Sequence, residues 1–123
     1  MSETHIAPWL SVSNAAEAAA YYKAAFSAVE LYRLEEGGRL AVAQLSIGGG
    51  DFWIQEDPDS SPESIARGSV RMILTVQDPD SAFEQAVAAG ATGVVPVGEG
   101  HGWRIGRIAD PFGHHWEIGK RLI

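Results

Sequence analysis

Two stretches of this chain repeat one another, and that repeat constrains the fold more than any single motif. Ile6–Ser13 alternates in side-chain character and ends at Val12, just before a helix cap at Asn14. Ser69–Gln77 alternates as well and ends at Val76, just before a cap at Asp78. The two valines stand 64 residues apart (76 − 12). Later in each half, Trp53 and Trp116 stand 63 apart (116 − 53), each three residues after a glycine, Gly50 and Gly113. Such internal similarity marks a duplicated structural unit.

The order of elements is the same in both halves. After Asn14, with Glu17 three residues on as in a capping box, Ala15, Ala18, Ala19, Tyr22, Ala25, Phe26 and Val29 follow helical spacing. Strands are expected at Val29–Glu35, Leu40–Ile47 and Asp51–Glu56, parted by Glu36-Gly37-Gly38 and Gly48-Gly49-Gly50. In the second half Asp78-Pro79 starts a helix whose stripe is Ala82, Phe83, Ala86 and Val87, and Gly90 stops it. Strands follow at about Thr92–Val97, Trp103–Ala109 and Gly113–Gly119. The fold class is therefore α+β: two tandem β-α-β-β-β modules forming a curved mixed-sheet cleft. Module 1 spans about 4–57 and module 2 about 68–120, joined by the Pro-, Ser- and acid-rich loop 58–67 in one domain, 1–123.

Composition narrows the function classes. A formal net charge of −7 argues against nucleic acid as a partner and favours cations at long range. No segment approaches the ~20 consecutive apolar residues of a membrane span. With no cysteine, disulfides, thiolate ligands and Cys nucleophiles are ruled out, and a cytoplasmic protein is the expectation.

Residues 110–118, Asp-Pro-Phe-Gly-His-His-Trp-Glu-Ile, concentrate the chemistry. Asp110-Pro111-Phe112-Gly113 reads as a tight turn. In the strand after it His115 and Glu117 share one face, Trp116 and Ile118 the other.

This ending, with Asn14-Ala15-Ala16-Glu17-Ala18-Ala19-Ala20-Tyr21-Tyr22 and Phe26 in the first helix, resembles the vicinal oxygen chelate superfamily. That superfamily includes glyoxalase I, extradiol dioxygenases, and fosfomycin and bleomycin resistance proteins. The resemblance implies paired modules, a homodimer, and a small-molecule site in the sheet cleft. Its metal enzymes take His or Glu ligands from the first and last strands of each module. Carried over, these positions fall on Ala7, Ile54, Arg71 and Glu117, so Glu117 is the one matching metal ligand. Ile and Ala cannot ligate, and Arg has no free lone pair. Arg71 is instead expected to pair with Glu117. A shifted register bringing in His5 or His115 is the remaining route to a metal site.

On the proposed faces Trp9, Ser11, Phe52, Ile54, Arg71, Ile73, Thr75, His115 and Glu117 look toward the cleft, with Trp103 as a wall. Trp53 and Trp116 are expected in the core. His114 is expected to stabilise the turn, and His101 to lie in an exposed loop. The leading expectation is a small-molecule binding protein, cationic drugs among its ligands, with no cofactor and a homodimeric state. The alternative is a divergent lyase or dioxygenase that needs a divalent metal or uses Glu117 and His115 as acid and base. A third reading is a regulatory domain without turnover.

Overall fold

A computed structural model describes residues 5–68 and 70–122. The predicted strand start at Ser69 and module start at residue 4 lie outside them. Module 1 comprises β1 (Trp9–Val12), α1 (Ala15–Phe26), β2 (Val29–Glu36), β3 (Arg39–Ile47) and β4 (Gly50–Glu56). A short helix, α2 (Pro62–Ala66), lies in the connection. Module 2 comprises β5 (Met72–Thr75), α3 (Pro79–Ala89), β6 (Thr92–Gly100), β7 (Trp103–Ala109) and β8 (His115–Arg121). Each module is a four-stranded mixed sheet, ordered β1-β4-β3-β2 and β5-β8-β7-β6. No helix among the described residues is long and apolar enough to cross a membrane.

Local chemistry explains the helix limits. Asn14 accepts from the Glu17 amide and Asp78 from the Ser81 amide, satisfying first-turn donors that have no intrahelical partner. Ser27, with φ of 58°, ends α1 three residues before the helical pattern suggests, which releases Val29 into β2. The sequence suggests a loop for the whole of 58–67. That segment contains α2 because Ser61 caps it, Pro62 occupies its first turn, and Ser64 reaches back to the Ser61 amide.

The register decides which side chains are core, and it corrects three sequence expectations. Leu10 pairs with Ile54, and Leu74 with Ile118. The modules therefore superpose with an offset of 64 in the last strand as well (118 − 54), not the 63 suggested by the Gly-Trp spacing. A one-residue slip moves a strand's side chains to the opposite face. Phe52 and Ile54, expected in the cleft, are 2% and 0% exposed and lie against the helices. Trp53, expected in the core, stands beside Trp9 on the open face.

The core joins the modules through the helices and one aromatic cluster. Tyr22 of α1 reaches Phe52 in its own sheet, and Tyr22 and Phe26 both reach Trp116 in the other. Burying each such ring removes some 150–250 Å² from water. Tyr22 also donates its hydroxyl to Asp110 at 2.6 Å. Burial, then the Asp110 charge, hold the Tyr22 phenol neutral well above the ordinary value near 10, and the same two causes raise Tyr21. The folded chain thus keeps protons that the unfolded chain releases above pH ~10. Stability contributed by these groups is complete below that pH and falls as pH rises past it. Melting temperature should hold up to about pH 9.5 and drop beyond it, less steeply in Tyr22→Phe. Identical curves for the two proteins up to about pH 12 would contradict this role for Tyr22.

Candidate functional site

Each sheet keeps one face away from the helices. On module 1, Trp9 and Trp53 stack with centroids 6.1 Å apart and planes at 22°. Tyr32 on β2 stands 5.8 Å from Trp53. The three rings form a strip across the sheet. The Trp9 indole N–H donates to Gln55 at 2.9 Å, fixing the ring's orientation. Only Trp9 of this strip was expected from sequence; Tyr32 and Trp53 depend on the register.

On module 2 the corresponding face carries His115 and Glu117 on β8, Ile73 and Thr75 on β5, and Trp103 and Arg107 on β7. Arg71, just before β5, donates from Nη1 to Glu117 Oε2 at 2.7 Å, the pairing the sequence suggests. Its side chain is 51% exposed and that of Glu117 is 24%. An ion pair this open contributes at most about 1 kcal/mol to folding. Its value lies in where it holds the carboxylate.

Arg107 was missed. It sits opposite Glu117 in the β7–β8 ladder, and its Nε is buried without a hydrogen-bond partner among the described residues. A visible signal was available: Trp103, Ile105, Arg107 and Ala109 alternate onto one face, so a charge interrupts an otherwise apolar row.

Two cavities, of about 240 and 400 Å³, share Ile65, Gly68, Val70, His114 and His115 and so form one groove. Residues of α2 and the segment after it border the groove, over the seam between β1 and β5. One end reaches Arg71 and Arg107. The other reaches Trp9, Ser11 and Met72. His114 Nε2 lies 2.9 Å from the Ser11 carbonyl oxygen, which can only accept, so that nitrogen carries the proton and ties the modules together. Of the expected site residues the groove gathers Trp9, Ser11, Arg71 and His115, with Glu117 held at its edge by Arg71. Thr75 lies toward the far end of β5, beside a separate cavity shared with Ile73. Trp103 pairs with Arg121, at the end of β8 away from His115. Phe52 and Ile54 are core.

The donor set does not fit the metal centre implied by the family resemblance. The register puts Trp53, not Ile54, opposite Glu117's position in module 1. The four ligand positions therefore hold Ala7, Trp53, Arg71 and Glu117. His5 Nε2 lies 3.9 Å from Asp51 Oδ2, on the first sheet, and does not join Glu117. Among the described residues no three His, Cys, Asp or Glu side chains gather to hold a cation. No hydrogen bond among them links His115 to Glu117.

A sequence profile of the glyoxalase-like domain matches residues 9–119. The chain belongs to this family. Glyoxalase-like domains are part of the vicinal oxygen chelate superfamily, as Asp110–Ile118 indicated. An uncharacterized protein of Mycobacterium bovis is 40% identical over 96% of this chain and 84% of its own length. The crystal structure of TioX from Micromonospora sp. ML1 has a TM-score of 0.75 and 27% identity, covering 98% of both chains. FosX from Listeria monocytogenes, a fosfomycin resistance protein solved with Mn(II), has a TM-score of 0.74 at 20% identity, covering 99% of this chain and 91% of FosX. At that identity the likeness is one of fold.

Proposed function

We propose that this glyoxalase-like chain is a cytoplasmic, homodimeric small-molecule binding protein that works without a resident catalytic metal. The observation that carries the reading is the 2.7 Å Arg71–Glu117 pair, an arginine bound to the one carboxylate left among four ligand positions. A guanidinium already supplies positive charge to Glu117 and repels a cation brought beside it. The aromatic strip and the groove under α2 provide the mixed apolar and polar lining typical of ligand sites. Dimerisation is supported by exposed apolar side chains on both open faces, Trp9 at 51% and Ile73 at 61%, which a second copy would cover.

The lyase or dioxygenase reading rests on Glu117 and His115 sharing a face. The two readings separate by experiment. Purified protein should carry no stoichiometric Ni, Zn, Fe or Mn and should scatter light as a dimer. Glu117→Gln should change folding free energy by less than about 1 kcal/mol and leave small-molecule binding in a thermal-shift screen intact. Stoichiometric metal lost on Glu117→Gln, or a turnover which that variant abolishes, would sink the metal-free binding reading.

A further inference from the structure

The two ends of the groove differ in character. Its α2 end is lined by Arg71, Arg107, His114 and His115 and, among the described residues, by no aspartate or glutamate. That runs against a chain with 16 acidic and 9 basic residues. Arg107 is the decisive group. A buried guanidinium nitrogen without an acceptor is costly in a folded protein. Its cross-strand neighbour Glu117 is held by Arg71, and among the described residues no carboxylate pairs with Arg107. The Nε itself is closed to solvent, so a ligand in the groove meets the part of the Arg107 side chain that lines it. The other end of the groove is apolar, with Trp9, Met72 and Val70.

We propose that this groove takes a small organic anion, its carboxylate or sulfonate head on the Arg107 guanidinium with His115 and Arg71 beside it, and its apolar body toward Trp9 and Met72. The inference rests on the reading of the chain as a binding protein and adds the sign of the ligand. Net charge acts at long range and is screened within about 10 Å at moderate salt, whereas direct contact with a guanidinium is not. At the site, therefore, the local arginines outweigh the acidic total that favours cations.

The test uses four probes of similar size, 3-phenylpropanoate, 2-phenylethanesulfonate, 3-phenylpropanamide and 3-phenylpropylamine, with Trp fluorescence as the readout at fixed ionic strength. Both anions should bind at least about ten-fold tighter than the amide or the amine, the scale of one hydrogen bond to a charged group. Whichever anion binds better identifies the head group. Arg107→Met should erase that preference without weakening the amide, and should leave the melting temperature unchanged or higher, because among the described residues no carboxylate pairs with the arginine and its Nε has no acceptor. A lowered melting temperature with the anion preference intact would make Arg107 structural and overturn the proposal. Loss of the dimer in Arg107→Met with anion affinity unchanged would assign its partner to a carboxylate of the second copy, which also overturns it. If the amine and amide bind as well as the anions, the inference fails and the binding reading survives. If no probe and no compound in the wider screen binds, both fail.

Discussion

Asp110→Ala is expected to remove about 4 kcal/mol or more of folding free energy, most of what a domain holding roughly 5–15 kcal/mol can lose. The side chain is 4% exposed and serves four donors. Oδ2 accepts from the Tyr22 hydroxyl at 2.6 Å and the Trp116 indole at 2.9 Å. Oδ1 accepts from the amides of Phe112 at 3.0 Å and His114 at 2.9 Å. Truncation strands a hydroxyl and an indole N–H in the core, each costing about 1–3 kcal/mol, and releases two amides that shape the turn. It also severs the polar link between α1 of module 1 and β8 of module 2. Urea denaturation followed by Trp fluorescence measures the loss. Asp110→Asn, which keeps an acceptor in place, should fall between wild type and Ala. A midpoint shift equivalent to less than about 1 kcal/mol for Ala would show that water or a rearranged core satisfies these donors.

The second large effect is expected at Gly113, in the same turn. Its φ is 97°, a region that L side chains rarely adopt, and an added Cβ would collide with the Pro62 backbone, reaching Cα at 2.7 Å and the carbonyl carbon at 2.9 Å. Backbone cannot rotate away as a flexible side chain can. Gly113→Ala should therefore cost about 3 kcal/mol, combining the conformational penalty of roughly 1–2 kcal/mol with displacement of the connecting segment. Gly37→Ala is the control. It also has positive φ, at 58°, but meets nothing within 4 Å, so it should cost only about 1 kcal/mol. Because α2 borders the groove, Gly113→Ala should also weaken ligand binding while Gly37→Ala leaves it unchanged. Equal costs at the two glycines would mean that the α2 connection yields freely and does not shape the groove.

Both predictions fall within Asp110–Ile118, the stretch that marked the chain as a member of its family. The sequence pointed to Glu117 and His115 there as the functional residues and to the rest as fold. The structure divides the work differently. Asp110 gathers donors from both modules, Gly113 admits the connection that borders the groove, and His114 bonds to Ser11 across the seam. None of these roles is visible from the turn alone, because each depends on a partner 51 to 103 residues away in the chain, and only the packed fold brings those partners into contact.

Local information carried far. Caps at Asn14 and Asp78 and the stop at Gly90 involve neighbours within a few residues, so these helix limits could be read directly, whereas the stop at Ser27 could not. Alternation separated the two faces of each strand, and the repeat supplied the duplicated topology. The Arg71–Glu117 pair was also legible, since the repeat and the family pattern place both residues at corresponding strand positions.

What the sequence could not supply was the register between β1 and β4 and its relation to that between β5 and β8. Matching glycine to glycine gives 63; matching the strand pairs gives 64. That single residue exchanges Phe52 and Ile54 for Trp53 on the open face, creating the Trp9–Trp53–Tyr32 strip and removing Ile54 from the ligand positions. The sequence by itself determined the fold, its duplication and the carboxylate at Glu117. Only the tertiary structure decided which faces line the site and that, among the described residues, the Arg107 Nε lies there without an acceptor. Side-chain period along a strand is local, whereas pairing between strands depends on the hydrophobic core that both must fill.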